Sequence, residues 1–245
     1  MDARACRLSS LDLAKGLAIT LMVVDHVGNF LFPEAEWLRV LGRGAFPIFA
    51  FLAGFLPARA FPWRILVAGL VLQPVLGVLD GWWLPFNVLV PLALWRALLS
   101  QPQAEAFLAD TSRLVPLAVV CLVLAPVTGA VLEYGTAGLM FGALGVACRQ
   151  GRRTEPGTLM GLVVALAGHM VLQATGFGLG WAGALAVLAV LLPVMVMLAS
   201  LERRCVETTL PGVILAPIRL LARHSLWVYA VHLPMLMVVR DWLGP

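Results

Sequence analysis

The apolar stretch LDLAKGLAITLMVVDHVGNFLF, Leu11 to Phe32, carries two acids, a lysine and a histidine: Asp12, Lys15, Asp25 and His26. Ionisable side chains inside a membrane-buried helix face the bundle interior or a wet cavity, and they mark function by default. At ~100° per residue, Asp12, Lys15, Ile19, Met22, His26 and Asn29 fall in one sector of the helix, with Asp25 a further step round. Lys15 and His26 share that face at different depths, ~16 Å apart along the axis. A face of this kind offers proton transfer at an imidazole, which titrates near ~6.5 when free. The plainer readings are an Asp12–Lys15 pair that snorkels to the interface and a His26 that hydrogen-bonds a neighbouring helix.

A second cluster follows in RVLGRGAFPIFAFLAG, Arg39 to Gly54. Gly42 and Gly44 flank Arg43 and let neighbouring backbone come close. Pro47 starts or kinks the next helix. Arg43 either pairs with Glu34, Glu36 or Asp25, or stands beside His26 as a fixed cation for an anionic or carbonyl group. Asp25 and His26 are adjacent, and adjacent helical residues do not face each other. Asp25 is therefore expected to pair with an arginine of another helix, Arg43 being the nearest in sequence.

The elements that must hold these residues are helices in lipid. The chain has 245 residues, 61% of them hydrophobic and 12% charged, with a mean hydropathy of +0.95. A soluble domain cannot bury that much apolar surface. No barrel-type alternation is present, so the expected class is all-α: a polytopic integral-membrane bundle of about nine helices, eight to ten, with an interior cavity. One domain, 1–245, accounts for the chain. Apolar runs bounded by charge, Pro or Gly predict helices near Leu11–Phe32, Phe46–Leu56, Ile65–Leu79, Phe86–Leu99, Leu114–Leu132, Ala137–Cys148, Thr158–Thr175, Trp181–Leu201 and His224–Trp242. Phe46–Leu56 and Ala137–Cys148 are short; flanking residues must extend them, or they are half-helices lining a cavity. Leu210–Arg223, with two prolines and two late arginines, reads as an interfacial helix. The loops SQPQAEAFLADTSR and CRQGRRTEPG read as short connectors.

Charge sets the orientation. With the N-terminus inside, 14 of the 17 basic residues fall on the inner side, and Arg39, Arg43 and Arg240 on the outer. The net charge of +4 is thus spread over loops, a pattern that excludes a nucleic-acid groove. The start reads as a retained first helix, since its apolar stretch is interrupted by charge. Cys6, Cys121, Cys148 and Cys205 form no C-x-x-C pair and have no histidine at ligand spacing, so free thiols and no metal are expected.

Two blocks carry a family resemblance. K-x-x-A…M-x-x-D-H-x-G covers Lys15 to Gly28, and G-R-x-A-F-P-x-F-x-F covers Gly42 to Phe51. Together they closely resemble the opening of the TraX family of integral-membrane pilin acetyltransferases. LPFNVLVPLAL (Leu84 to Leu94) and LEYGTAGLMFGAL (Leu132 to Leu144) are similar to it too, so the resemblance runs over roughly the first 150 residues. HSLWVYAVHLPML, His224 to Leu236, resembles the closing S-x-x-x-Y-x-x-H-x-P helix of the wider transmembrane acyltransferase group. Met160 to Ser200 matches no motif.

The resemblance implies acetyl transfer from cytoplasmic acetyl-CoA to an acceptor across a bacterial inner membrane, the acceptor being the N-terminal amine of a pilin in conjugative pilus biogenesis. His26 would be the base, or the acyl carrier of a ping-pong scheme, and Arg43 would polarise the thioester carbonyl, with Asp25 beside them. Lys15, Arg59 and Arg64 would hold the phosphates of CoA. Glu133 and Tyr134 would meet the amine. Tyr229 and His232 line the same cavity or bond between helices, and Ser225 lies a turn or so below them; His169 reads as a core histidine. The alternatives are acetylation of an envelope glycan or lipid, a proton-coupled transporter using Asp25 and His26, and a non-catalytic pilus assembly factor.

Overall fold

The computed structural model describes residues 9–201 and 212–244. Cys6, Cys205, Arg4, Arg7, Arg203, Arg204 and Leu210 lie outside them. The described chain is all-helical: α1 (Ser10–Phe30), α2 (Glu36–Gly42), α3 (Ala45–Phe55), α4 (Trp63–Asp80), α5 (Leu89–Leu99), α6 (Pro102–Leu108), α7 (Leu114–Gly129), α8 (Ala137–Arg149), α9 (Pro156–Thr175), α10 (Gly180–Ala199), α11 (Gly212–Arg223) and α12 (Ser225–Leu243).

α1 begins at a capping box. The Ser9 hydroxyl accepts from the Asp12 N–H, and the Asp12 carboxylate accepts from the Ser9 N–H and hydroxyl. Asp12 is therefore a cap, while Lys15 turns to a cavity described below. The chain then reverses within 31–35, and α2 runs back antiparallel to α1. The expected outer loop up to Arg43 is thus mostly helix. α2 is only seven residues long and carries Glu36 and Arg39, so a hydropathy reading passes over it. Arg43 and Gly44 keep right-handed helical angles, so α2 and α3 together form the 20-residue apolar unit Glu36–Phe55. That joins the short Phe46–Leu56 segment to its missing length.

Six units are long and apolar enough to cross a membrane among the described residues: Glu36–Phe55, α4, the unit Thr111–Gly129 that contains α7, α9, α10 and α12. About nine were expected. The 21-residue α1 is long enough, but its polar residues keep it out of that set. α5 and α8, with 11 and 13 residues, are apolar but short. α6 and a 3-10 turn at Thr111–Arg113 occupy the stretch read as a plain connector. α11 is 12 residues long, ~18 Å, too short to cross, and it packs on α1.

The core centres on α3 and α8. Every residue of α3 except Phe49 is buried. A Cβ at Gly54 would collide with the Gly142 carbonyl, so these glycines let the two backbones touch. Helices alternate in direction, which gives the bundle two distinct ends. One gathers Lys15, Arg59, Arg64, Arg96, Arg113, Arg149, Arg152, Arg153, Arg219 and Arg223; the other holds Arg39, Arg43 and Arg240 among the described residues. Contacts of Ser100 with Ala58, Glu105 with Arg149, and Thr111 with Glu155 tie the first end. The second is knit by Phe86 and Leu132, whose segments exchange backbone hydrogen bonds, and by an Arg240–Asp80 ion pair of 2.6 Å.

Candidate functional site

The interior face of α1 borders two spaces in succession, with a histidine pair beyond them. At the Lys15 end an open vestibule of about 740 Å3 lies between α1 and α11, lined by Asp12, Lys15, Arg219, Arg223 and His224. Lys15 also lines a narrower cavity of about 190 Å3 that leads into the bundle. Arg96 and Ser225 stand with Lys15 at its mouth, and Ile19, Met22 and Leu52 form apolar walls. Val88 and Tyr229 close its far end. Lys15 to Met22 covers ~10 Å of helix, and His26 lies one turn further.

Just beyond Tyr229 sits a histidine pair. The His26 and His232 rings lie edge to edge and nearly coplanar, with 17° between their planes and centroids 4.9 Å apart, and His26 Nδ1 is 2.7 Å from His232 Nε2. His232 Nδ1 is 2.6 Å from the Val228 carbonyl oxygen, one turn back on α12. The Tyr229 ring meets both imidazoles edge-on. His26 is part-buried and His232 buried. Tyr229 and His232 are a turn apart on α12, which places both against α1.

Asp25 leaves α1 on another side. It packs against Gly42 so closely that a Cβ there would overlap the Asp25 backbone. The Arg43 Nε lies 3.4 Å from Asp25 Oδ1, an ion pair without an aligned hydrogen bond, with both residues buried. The pairing expected between them is present. Arg43 Nη1 donates to the Tyr134 hydroxyl at 3.2 Å, and its guanidinium lies 4.6 Å from the centre of the Phe177 ring. Tyr134 has a left-handed φ of 63° and stacks on Phe46 at 3.6 Å. Arg39 donates to the Phe177 carbonyl. His169 lies behind, 1% exposed, bonded to Gln173 and edge-on to Phe141, a core histidine.

The structure thus sets Lys15 and Tyr229 on one cavity, with His26 and His232 packed behind Tyr229, and gathers Asp25, Arg43 and Tyr134 into a separate knot. Glu133 accepts the Val88 N–H at 2.7 Å and so braces the far end of the cavity from behind. Arg59 is exposed and borders none of these spaces, and Arg64 lines an apolar groove between α4 and α12. Arg96, Arg219 and Arg223 were missed as site residues; each is a lone cation at the edge of an apolar run, and only the fold brings them to Lys15. Gln73 and Asn87 were missed as well. Buried and mutually bonded, they hold the Trp82–Pro85 turn and the start of α5 beside the cavity. Two amides inside apolar runs were their signal.

Among curated proteins, an uncharacterized protein of Rickettsia prowazekii (strain Madrid E) is 37% identical over 83 residues, 34% of each chain. Protein TraX of Escherichia coli is 37% identical over 71 residues, 29% of this chain and 25% of the relative. Protein TraX of Escherichia coli (strain K12) is 44% identical over 43 residues, 18% and 17%. The matched segments span about a third or less of these relatives. No solved structure matches. The family model described as TraX protein matches residues 10–240, nearly the whole chain, and the chain belongs to the TraX family.

Proposed function

We propose that this chain is a bacterial inner-membrane acetyltransferase of a conjugative pilus pathway, taking acetyl from cytoplasmic acetyl-CoA and passing it to the N-terminal amine of a pilin. The observation that carries this reading is the order of spaces along α1: a basic vestibule, a narrow apolar cavity, then a histidine pair. That order suits a ligand with a polyanionic head, a thin arm and a reactive tip. Lys15, Arg96, Arg219 and Arg223 meet the phosphates. Arg59 and Arg64 share that end of the bundle and add to its positive field. The arm lies between Ile19, Met22 and Leu52.

The N-terminus and the vestibule face the cytoplasm, in keeping with the excess of arginine at that end. His26 removes a proton from the acceptor amine as it attacks the thioester carbonyl, and the departing CoA sulfur takes a proton. A variant in which His26 first carries the acetyl group uses the same geometry. Arg43, held by Asp25 and Tyr134 outside the cavity, acts on the carbonyl through its fixed charge rather than by contact. Glu133 and Tyr134, at the far end, set the local polarity that an incoming amine meets.

The test is purified protein with acetyl-CoA and candidate pilin, followed by intact mass. The gain of one acetyl group on the pilin, lost in His26→Ala while acetyl-CoA still binds, is the expected result. Near-normal transfer by His26→Ala would remove the base. Acetylation of an envelope glycan or lipid in place of pilin would keep the chemistry and change the acceptor.

A further inference from the structure

With both rings neutral, the hydrogen-bond chain through the histidine pair has only one consistent direction. A carbonyl oxygen accepts and never donates, so the Val228 carbonyl requires the proton of His232 on Nδ1. A neutral His232 then has its lone pair on Nε2, which faces His26 Nδ1 at 2.7 Å. His26 must therefore donate from Nδ1, and its own lone pair sits on Nε2. We propose that His232 is a positioning residue that fixes the tautomer of His26, so that Nε2 is the nitrogen that acts as base. The consequence for reactivity rests on the acetyltransferase reading above; the tautomer assignment does not.

The geometry adds a second property. When His26 Nε2 takes a proton from the acceptor, the imidazolium still donates from Nδ1 to His232 Nε2, which shares the new charge. The proton on His232 Nδ1 stays on a backbone carbonyl and has no onward acceptor there. The pair therefore holds one proton and returns it from His26 Nε2 to the departing thiolate. It is a store with one opening. The nearly coplanar hydrogen bond between the rings and the contact with Tyr229 fix the His26 plane, so the lone pair keeps one direction.

The experiment reads the tautomer directly, by 15N nuclear magnetic resonance of histidine-labelled protein in nanodiscs. The chain has four histidines, so each signal is assigned by single replacement. His26 is expected protonated on Nδ1 and bare on Nε2. His232→Gln, whose side-chain carbonyl can accept at the same place, should keep that tautomer and stay within about threefold of normal kcat. His232→Leu should shift His26 to a mixture or to the Nε2–H form. Its kcat should fall about 10²-fold or more with KM for acetyl-CoA unchanged, in line with the loss of orienting partners in other catalytic dyads. An Nε2–H tautomer in the unmodified protein overturns the proposal, and so does an unchanged tautomer in His232→Leu. If the unmodified protein transfers no acetyl group to any acceptor, the functional reading fails, while the resonance still decides the tautomer. Should His232→Leu fail to fold, the unmodified protein and His232→Gln remain decisive.

Discussion

Asp25 and His26 are neighbours in the chain and belong to different parts of the molecule. Asp25 enters a knot with Arg43, Tyr134 and Phe177, closed by Gly42 and buried on all sides. His26 turns ~100° away to His232 and packs behind Tyr229, beyond the closed end of the cavity, with its Nε2 outside the histidine pair's hydrogen bond. The first partnership joins opposite charges on two buried side chains. The second joins two neutral rings of which one retains a lone pair. A buried ion pair fixes geometry and yields poorly to change, because either charge alone is costly. A neutral pair beside a cavity can accept and release a proton. One helical step thus separates a fixed ion pair from a pair of rings able to take up a proton.

The largest effect that would break this contrast is in stability. Asp25→Ala leaves Arg43 buried without its counter-charge and should lower unfolding stability by about 3–5 kcal/mol. His26→Ala should cost only ~1 kcal/mol, the usual weight of a hydrogen bond between membrane helices. Thermal unfolding in nanodiscs compares them; equal losses would abolish the distinction. Next, Tyr134→Phe removes the hydroxyl that Arg43 donates to and should cost about 1.5–3 kcal/mol, with kcat per folded molecule little changed. A large kcat loss without destabilisation would give the Tyr134 hydroxyl a part in the chemistry beyond holding Arg43. Third, Arg219→Glu with Arg223→Glu should raise KM for acetyl-CoA about tenfold, ~1.4 kcal/mol, at constant kcat. An unchanged KM would detach the vestibule from the cavity. Smallest, Tyr229→Phe should alter stability by less than ~0.5 kcal/mol, because its ring contacts remain. A loss as large as that of Tyr134→Phe would make Tyr229 structural too.

Legibility followed sequence distance. Helices such as α9, α10 and α12 fall within about two residues of their hydropathy limits, since lipid demands long apolar runs. The Asp25–Arg43 pair was readable because a single reversal brings its partners together. α2 was read as loop because its seven residues, interrupted by Glu36 and Arg39, are too short a run to register as a span. The His26–His232 bond spans 206 residues, and nothing local announces it. Arg219 and Arg223 were placed on an interfacial helix, and only the packing of α11 on α1 turns them toward Lys15. Arg59 and Arg64, nearer in sequence to the first helix, were chosen in their stead as phosphate ligands and lie apart from the vestibule.

The shortness of α5 and α8 has an electrical consequence. The two pack on each other, and their 11 and 13 residues amount to about 16–20 Å of apolar path, against ~30 Å for a lipid hydrocarbon layer. A voltage across the bilayer would fall over this shorter distance, with a field roughly one and a half to two times steeper than in the surrounding lipid. An uncharged acetyl group travelling the path feels none of that field. A bare proton would feel all of it, and a charge carried across does work of about 2.3 kcal/mol per 100 mV. Movement of a neutral group, as in the function proposed above, would therefore be independent of the membrane voltage at this thin barrier.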